Sequence, residues 1–245
     1  MASTTHEHHT SPPNLSFAVI LLAGYQWLDA AGPVDFLNNH SQAVLRAINS
    51  DPALVAKAPI LTWYYVSSTL DPIPASSGPE QTPTHTFATC PRVDYVFMPG
   101  NSLPHAVPPE FTKFVQTRFA DPKVRFLTVC TGSLLLAPTG ILNHLRVASN
   151  KRGLKDLAKS GQLDHNVHWV GDRRWVKDGK VWSSAGVTSG IDLAAEFARV
   201  YFDKDVVEEA KEIAEEVPKP DTPDPYAWIL KGIDLGYGDH LPHKK

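Results

Sequence analysis

Apolar residues fall along this chain in short runs that alternate between strand and helix spacing. Phe17–Ala23 is continuous and apolar, the length of one buried strand. Leu28–Asn39 follows with helical spacing, and Pro33 is expected near its first turn, where the missing N–H is harmless. Ile60–Val66 is rich in aromatic and branched residues and predicts a second strand. Pro72–Phe87 is dense in proline, serine and threonine and reads as an irregular hairpin rather than core sheet. Asp94–Met98 is a short apolar strand ending in Pro99-Gly100, Pro109–Ala120 a helix, and Val124–Val129 another buried strand that runs into Cys130-Thr131-Gly132.

The alternation continues. Lys151–Lys159 predicts a helix. Arg174–Lys177 and Lys180–Ser184 flank Asp178-Gly179, a strong two-residue turn signal. Ser189–Tyr201 is an apolar helix, with Ser189 and Asp192 at capping-box spacing. Val206, Val207, Ala210, Ile213, Ala214 and Val217 line one face of an amphipathic helix whose other face is acidic. The pattern divides the chain into a polar, disordered tail over 1–15, one α/β domain over 16–217, and a proline-rich extension over 218–245 that packs on it. Strands alternating with helices predict a doubly wound, mainly parallel sheet with helices on both faces. Its binding crevice is expected beyond the carboxyl ends of the strands.

Composition narrows the function. With 42% hydrophobic and 20% charged residues the sequence reads as globular, and a net charge of −3 without a dense basic stretch argues against nucleic acid as a partner. The 2 cysteines, Cys90 and Cys130, allow at most one pairing, which speaks for a reducing compartment over a disulfide scaffold. No Lys or Arg precedes Arg46, as a secretory or transit segment would require, and no apolar run is long enough for a bilayer. A cytoplasmic protein with no membrane partner is therefore expected. His6, His8 and His9 are read as tail residues. His105, His144, His165 and His168 lack metal-ligand spacing, so no metal is expected.

Cys130 carries the chemistry. Phe126-Leu127-Thr128-Val129 before it is strand-like, and Gly132-Ser133-Leu134-Leu135-Leu136-Ala137 after it is helix-like, with Pro138 shortening that helix. A side chain on such a turn points out of the sheet top, as the serine of a nucleophile elbow does. The adjoining helix N-terminus is expected to favour thiolate over thiol. Gly132 permits the tight turn, and the N–H of Thr131 faces a developing anion. Read from position alone, a buried structural cysteine is an equal alternative.

Thr128-Val129-Cys130-Thr131-Gly132-Ser133-Leu134-Leu135-Leu136-Ala137, followed by Gly140-Ile141-Leu142, resembles the nucleophile-elbow signature of the DJ-1/PfpI superfamily. Two further segments resemble that family in order and spacing. They are Leu28-Asp29-Ala30-Ala31-Gly32-Pro33 and the stretch from Asp178-Gly179 through Ser184-Ala185-Gly186-Val187-Thr188-Ser189-Gly190. The Leu-Asp-x-x-Gly-Pro loop and Cys-Thr-Gly elbow are most similar to the isonitrile hydratase-like group. The resemblance implies a flavodoxin-like fold and a homodimer. It also implies a cofactor-free lyase in which Cys130 attacks a small-molecule substrate, Asp29 supplies a proton and Thr131 follows the nucleophile. Gly100, Asn101, Gly186 and Val187 would bind substrate or a developing anion.

The chain departs from the family at three places. Asn101 stands where a second glycine is common. Asn150-Lys151 stands where many relatives carry His-Trp, which removes a Cys–His dyad. Thr131 stands where protease-like and many glyoxalase-like branches place histidine. A glyoxalase- or amidase-like activity on carbonyl compounds remains open, as does a non-enzymatic redox-sensing or binding role for Cys130. Cys90 and Asp35 are read as structural. Trp27 is read as a pocket wall or a core residue, and Trp63, Tyr64, Tyr65, Trp175 and Trp182 as edge aromatics available to a dimer interface.

Overall fold

A computed structural model describes residues 12–103 and 106–236. The strands are β1 (Asn14–Ile20), β2 (Ile60–Ser67), β3 (His85–Thr86), β4 (Tyr95–Met98), β5 (Arg125–Thr128), β6 (Arg146–Ala148), β7 (His168–Val170), β8 (Trp175–Asp178) and β9 (Val181–Ser184). The helices are α1 (Trp27–Asn38), α2 (Gln42–Ala47), α3 (Pro52–Lys57), α4 (Pro109–Ala120), α5 (Gly132–Leu136), α6 (Lys151–Ser160), α7 (Ser189–Tyr201) and α8 (Lys204–Ala214).

Seven strands form one sheet in the order β3-β2-β1-β4-β5-β9-β8, parallel throughout except for the β8–β9 hairpin. Side chains alternate across it. Phe17, Val19 and Leu21 enter one core with residues of α1 and α7, while Ala18, Ile20 and Leu22 enter the other with residues of α4 and α5. Burial on both faces is why these strands read as unbroken apolar runs. Chain order reverses between β1 and β4, which places the topological switch point there. The four neighbouring strands β1, β4, β5 and β9 point their carboxyl ends the same way, so the loops after them converge.

Several local expectations are corrected. The first strand starts at Asn14, inside the stretch assigned to the tail, because Asn14 and Leu15 pair with Ile60 and Leu61. Pro33 sits in the second turn of α1, and Ile191 and Gly190 of α7 pack on that part of the helix. The capping box at Ser189 does not form: Thr188 is the N-cap without a side-chain bond, Ser189 Oγ donates to Gly186 O, and Asp192 pairs with Arg174. The Pro72–Phe87 segment has one antiparallel bridge, Ile73 to Gln81, and then adds the edge strand β3. The short helices α2 and α3 and the two-stranded β6–β7 sheet were not expected. Trp182 is not an edge aromatic: it is 1% exposed and packs on Phe197 and Tyr201. Beyond α8, Leu230, Ile233 and Leu235 pack on the α4–α5 core. The tail histidines and His105 lie outside the described residues, as does the extension beyond 236. Among the described residues no helix is long and apolar enough to cross a membrane.

Candidate active site

The sharp turn after β5 is built on one strained residue. Cys130 has φ +59°, the left-handed region that costs a non-glycine residue about 1 kcal/mol. The surroundings hold it there. Its N–H donates to Ser184 O at 3.2 Å, and its carbonyl accepts from Ser149 Oγ at 2.8 Å and from Asn150 N at 3.2 Å. Gly132 is required by space, since a Cβ there would lie 2.5 Å from Met98 O and 2.8 Å from Pro99 O. The helix that follows is short: α5 ends at Leu136 and tightens into a 3₁₀ turn over Ala137–Thr139, at Pro138.

Asp29 reaches the same place from α1, with no exposure to solvent. Its Oδ2 accepts from Gly100 N at 2.9 Å, and its Oδ1 is buried without a hydrogen-bond partner among the described residues. Gly100 fits only as glycine. A Cβ would lie 2.6 Å from Asp29 Oδ2, 2.7 Å from Thr131 Oγ1 and 3.0 Å from Cys130 Cβ. Burial pushes the Asp29 carboxyl up to about 7, offset in part by the Gly100 N–H bond and the neighbouring Cys130 thiol.

The thiol moves opposite to the sequence expectation. Burial, followed by the Asp29 charge, pushes Cys130 up to about 12. Three hydrogen bonds to the sulfur work against this rise: the backbone N–H groups of Thr131 and Val187 and the side chain of Asn150. They do not outweigh desolvation beside an acidic neighbour in a site where Cys130 is 7% exposed. The sulfur therefore rests as a thiol rather than a free thiolate.

The residues singled out from the sequence do converge, but with redistributed tasks. Gly100 N–H is taken by Asp29, and Asn101 N–H by Thr131 Oγ1 at 2.9 Å, so neither is free to face an anion. The Asn101 side chain turns away, donating to Ala23 O at 2.9 Å and accepting from Ser102 N at 2.7 Å. Thr131 takes part through its N–H, its hydroxyl being held by the Asn101 backbone. Val187 contributes its N–H, while Gly186 O anchors Ser189. Asn150 was overlooked as a site residue. Its Oδ1 caps α6 by accepting from Arg152 N and Gly153 N, both at 3.0 Å, which directs its NH₂ group to the sulfur. The helix-start pattern Asn-Lys-Arg was the signal available for it. Trp27 stacks over Gly78 and does not line the cleft, Asp35 is exposed, and Cys90 is buried with its carbonyl bonded by Arg118.

A cleft of about 490 Å³ opens onto Cys130 and Thr131. Gln26, Ser76, Asn101, Asn150, Arg152 and Leu157 are among the residues that line it. A reacting carbon placed on the sulfur would be within reach of a protonatable carboxyl, and the three donors would surround the sulfur.

A model of the DJ-1/PfpI family matches residues 15–200, and the chain belongs to that family. Among its relatives, the isonitrile hydratase of Pseudomonas putida is 28% identical over 209 residues, which cover 84% of this chain and 80% of that protein. The crystal structure of a ThiJ/PfpI family protein from Pseudomonas syringae superposes with a TM-score of 0.68 at 25% identity, covering 90% of this chain and 83% of the other. Drosophila melanogaster DJ-1beta shares the fold, with a TM-score of 0.64 at 18% identity over 83% of this chain and 99% of its own.

Proposed function

We propose that this protein hydrates an isonitrile to an N-substituted formamide, using Cys130 as nucleophile and Asp29 as proton shuttle. The observation that carries this is the fully buried Asp29 carboxyl set beside the Cys130 side chain, both against Gly100, where a cleft opens onto Cys130. The similarity to isonitrile hydratase supports it.

The chemistry balances with these two groups and water. Asp29 takes the thiol proton and hands it to the terminal carbon of the isonitrile as the carbon–sulfur bond forms, giving a thioimidate, R–N=CH–S–Cys130. Water adds its oxygen to that carbon and a proton to nitrogen. The carbon–sulfur bond then breaks, the hydroxyl proton returns to sulfur through Asp29, and R–NH–CHO leaves. Substrate polarity changes little during addition, so a carboxyl with a proton affinity near neutrality suits both directions of transfer. The Thr131, Val187 and Asn150 donors stabilise the departing thiolate in the last step.

The raised thiol weighs against a redox sensor, because the thiolate is the form that oxidants attack. A glyoxalase- or amidase-like reaction is less supported, since Asn150 offers the sulfur a donor and no base. The test is turnover of alkyl and aryl isonitriles, alongside 2-oxoaldehydes, by the wild type and Cys130→Ala. Formamide production that disappears in Cys130→Ala supports the reading. Turnover of 2-oxoaldehydes alone, or of neither class, refutes it.

A further inference from the structure

Asn150, whose backbone N–H donates to the Cys130 carbonyl at 3.2 Å and whose amide faces the sulfur, is followed directly by a buried cation. Lys151 Nζ lies 2.6 Å from Asp224 Oδ2, with the two side chains 3% and 2% exposed, and it also donates to Arg173 O at 3.0 Å. Asp224 belongs to the segment after α8, outside the 15–200 matched by the family model. That segment is seated at several points. Arg174 N donates to Asp221 O at 2.7 Å, Lys219 N donates to Asp192 Oδ1 at 2.7 Å, and Leu230 covers Gly171, where a Cβ would lie 2.7 Å from Leu230 Cδ1. Ala185, two residues before Val187, donates its N–H to Arg174 O at 2.8 Å.

We propose that Asp224 is a positioning residue for the nucleophile: by pairing with Lys151 at the first turn of α6 it holds Asn150 against the Cys130 turn. A lysine buried to this degree cannot stay without its counter-charge, so the pair dictates where α6 begins. The Asn150 side chain is anchored at its own helix start, where it caps Arg152 and Gly153. Displacing Lys151 therefore displaces Asn150, its bond to the Cys130 carbonyl and its amide beside the sulfur. The C-terminal segment thus completes a site whose reacting groups all lie in the family-matched part of the chain. The inference rests on the Cys130 site described above but not on the identity of its substrate.

The experiment is alkylation of native protein by iodoacetamide at pH 8, with the rate at Cys130 read by peptide mass spectrometry. The variants are Asp224→Asn, Asn150→Ala and the two combined. At fixed pH the rate follows the thiolate fraction, and losing one hydrogen bond to the sulfur lowers it by about tenfold. Asp224→Asn and Asn150→Ala should each slow Cys130 by that factor, and the combination should be no slower than Asn150→Ala alone. If Asp224→Asn does not fold, Lys151→Met/Asp224→Asn removes the stranded charge and makes the same comparison. A rate equal to or faster than wild type on losing Asp224 overturns the proposal, because it means the segment only shields the site. Multiplying effects in the combined variant overturn it too, because Asp224 then acts independently of Asn150. Alkylation needs no isonitrile, so failure of the proposed hydration leaves this result intact.

Discussion

The Thr131 hydroxyl clasps the backbone of Asn101 from both sides, accepting its N–H at 2.9 Å and donating to its carbonyl at 2.6 Å. This joins the loop after β4, which carries Gly100, to the turn after β5, which carries Cys130. Thr131→Val keeps the shape but strands both Asn101 groups, and it should cost about 1–3 kcal/mol in urea unfolding. Thr131→Ser keeps the hydroxyl and should cost about 1 kcal/mol or less. Equal loss in the two variants would show that the methyl, not the clasp, matters.

Gly100→Ala should cripple the site. The added methyl meets Asp29 Oδ2, Thr131 Oγ1 and Cys130 Cβ within 3.0 Å, and these three groups cannot all withdraw. We expect a loss of about 1–3 kcal/mol in stability from overpacking and strain and at least tenfold slower alkylation of Cys130. Gly179→Ala, in the hairpin turn, has φ +54° but open space around it, and should leave Cys130 reactivity unchanged. Thermal melts and alkylation rates of the two variants make the comparison.

The parallel sheet and the Cys130 elbow were legible because burial on both faces writes strands as apolar runs, and Val124–Val129 leads straight into Cys-Thr-Gly. Asp29 was legible through family resemblance alone, since nothing in its local pattern separates a buried proton donor from a loop aspartate. The direction of the thiol shift was not legible. The helix start beside Cys130 is visible in sequence, but the burial and the acidic neighbour that override it depend on tertiary packing, with Asp29 arriving from α1. Asn150 was hidden for a related reason, because its cap bonds are local while its amide contact is not. Strands as short as β6 and β7, at three residues each, carry no period to read.

Stability should depend on pH through two buried groups of opposite sign. The Asp29 carboxyl is raised from 3.8 to about 7, so between those values the folded protein holds a proton that the unfolded chain has released. Stability contributed by Asp29 is therefore full below about pH 4, falls as pH rises to 7, and is lost by roughly 4 kcal/mol above it. His40 is lowered from 6.5 to about 4 by burial, so its effect runs the other way: stability falls as pH drops through that window. The two slopes overlap and partly cancel in the wild type. Asp29→Asn removes only the first, and should melt higher than wild type at pH 8 with the advantage vanishing by pH 4. A variant less stable than wild type at pH 8 would contradict the raised carboxyl.

Turnover should follow the same carboxyl. Below pH 7 Asp29 keeps its own proton and cannot take the one from the thiol, so kcat/KM for an isonitrile should rise with a single-proton midpoint near 7. In Asp29→Asn that midpoint should vanish and the rate fall by roughly two to four orders of magnitude. An unchanged profile in Asp29→Asn would assign the midpoint to another group.

The central claim is that Cys130 adds covalently to the terminal carbon, and acid-quenched mass spectrometry tests it most directly. Protein mixed with an isonitrile and quenched within the first turnover should gain the full mass of one isonitrile, with the added mass on the Cys130 peptide. Asp29→Asn should gain it more slowly, and Cys130→Ala not at all. Formamide produced by the wild type while Cys130 stays unmodified at every quench time, or an adduct found on Cys90 instead, would contradict the account.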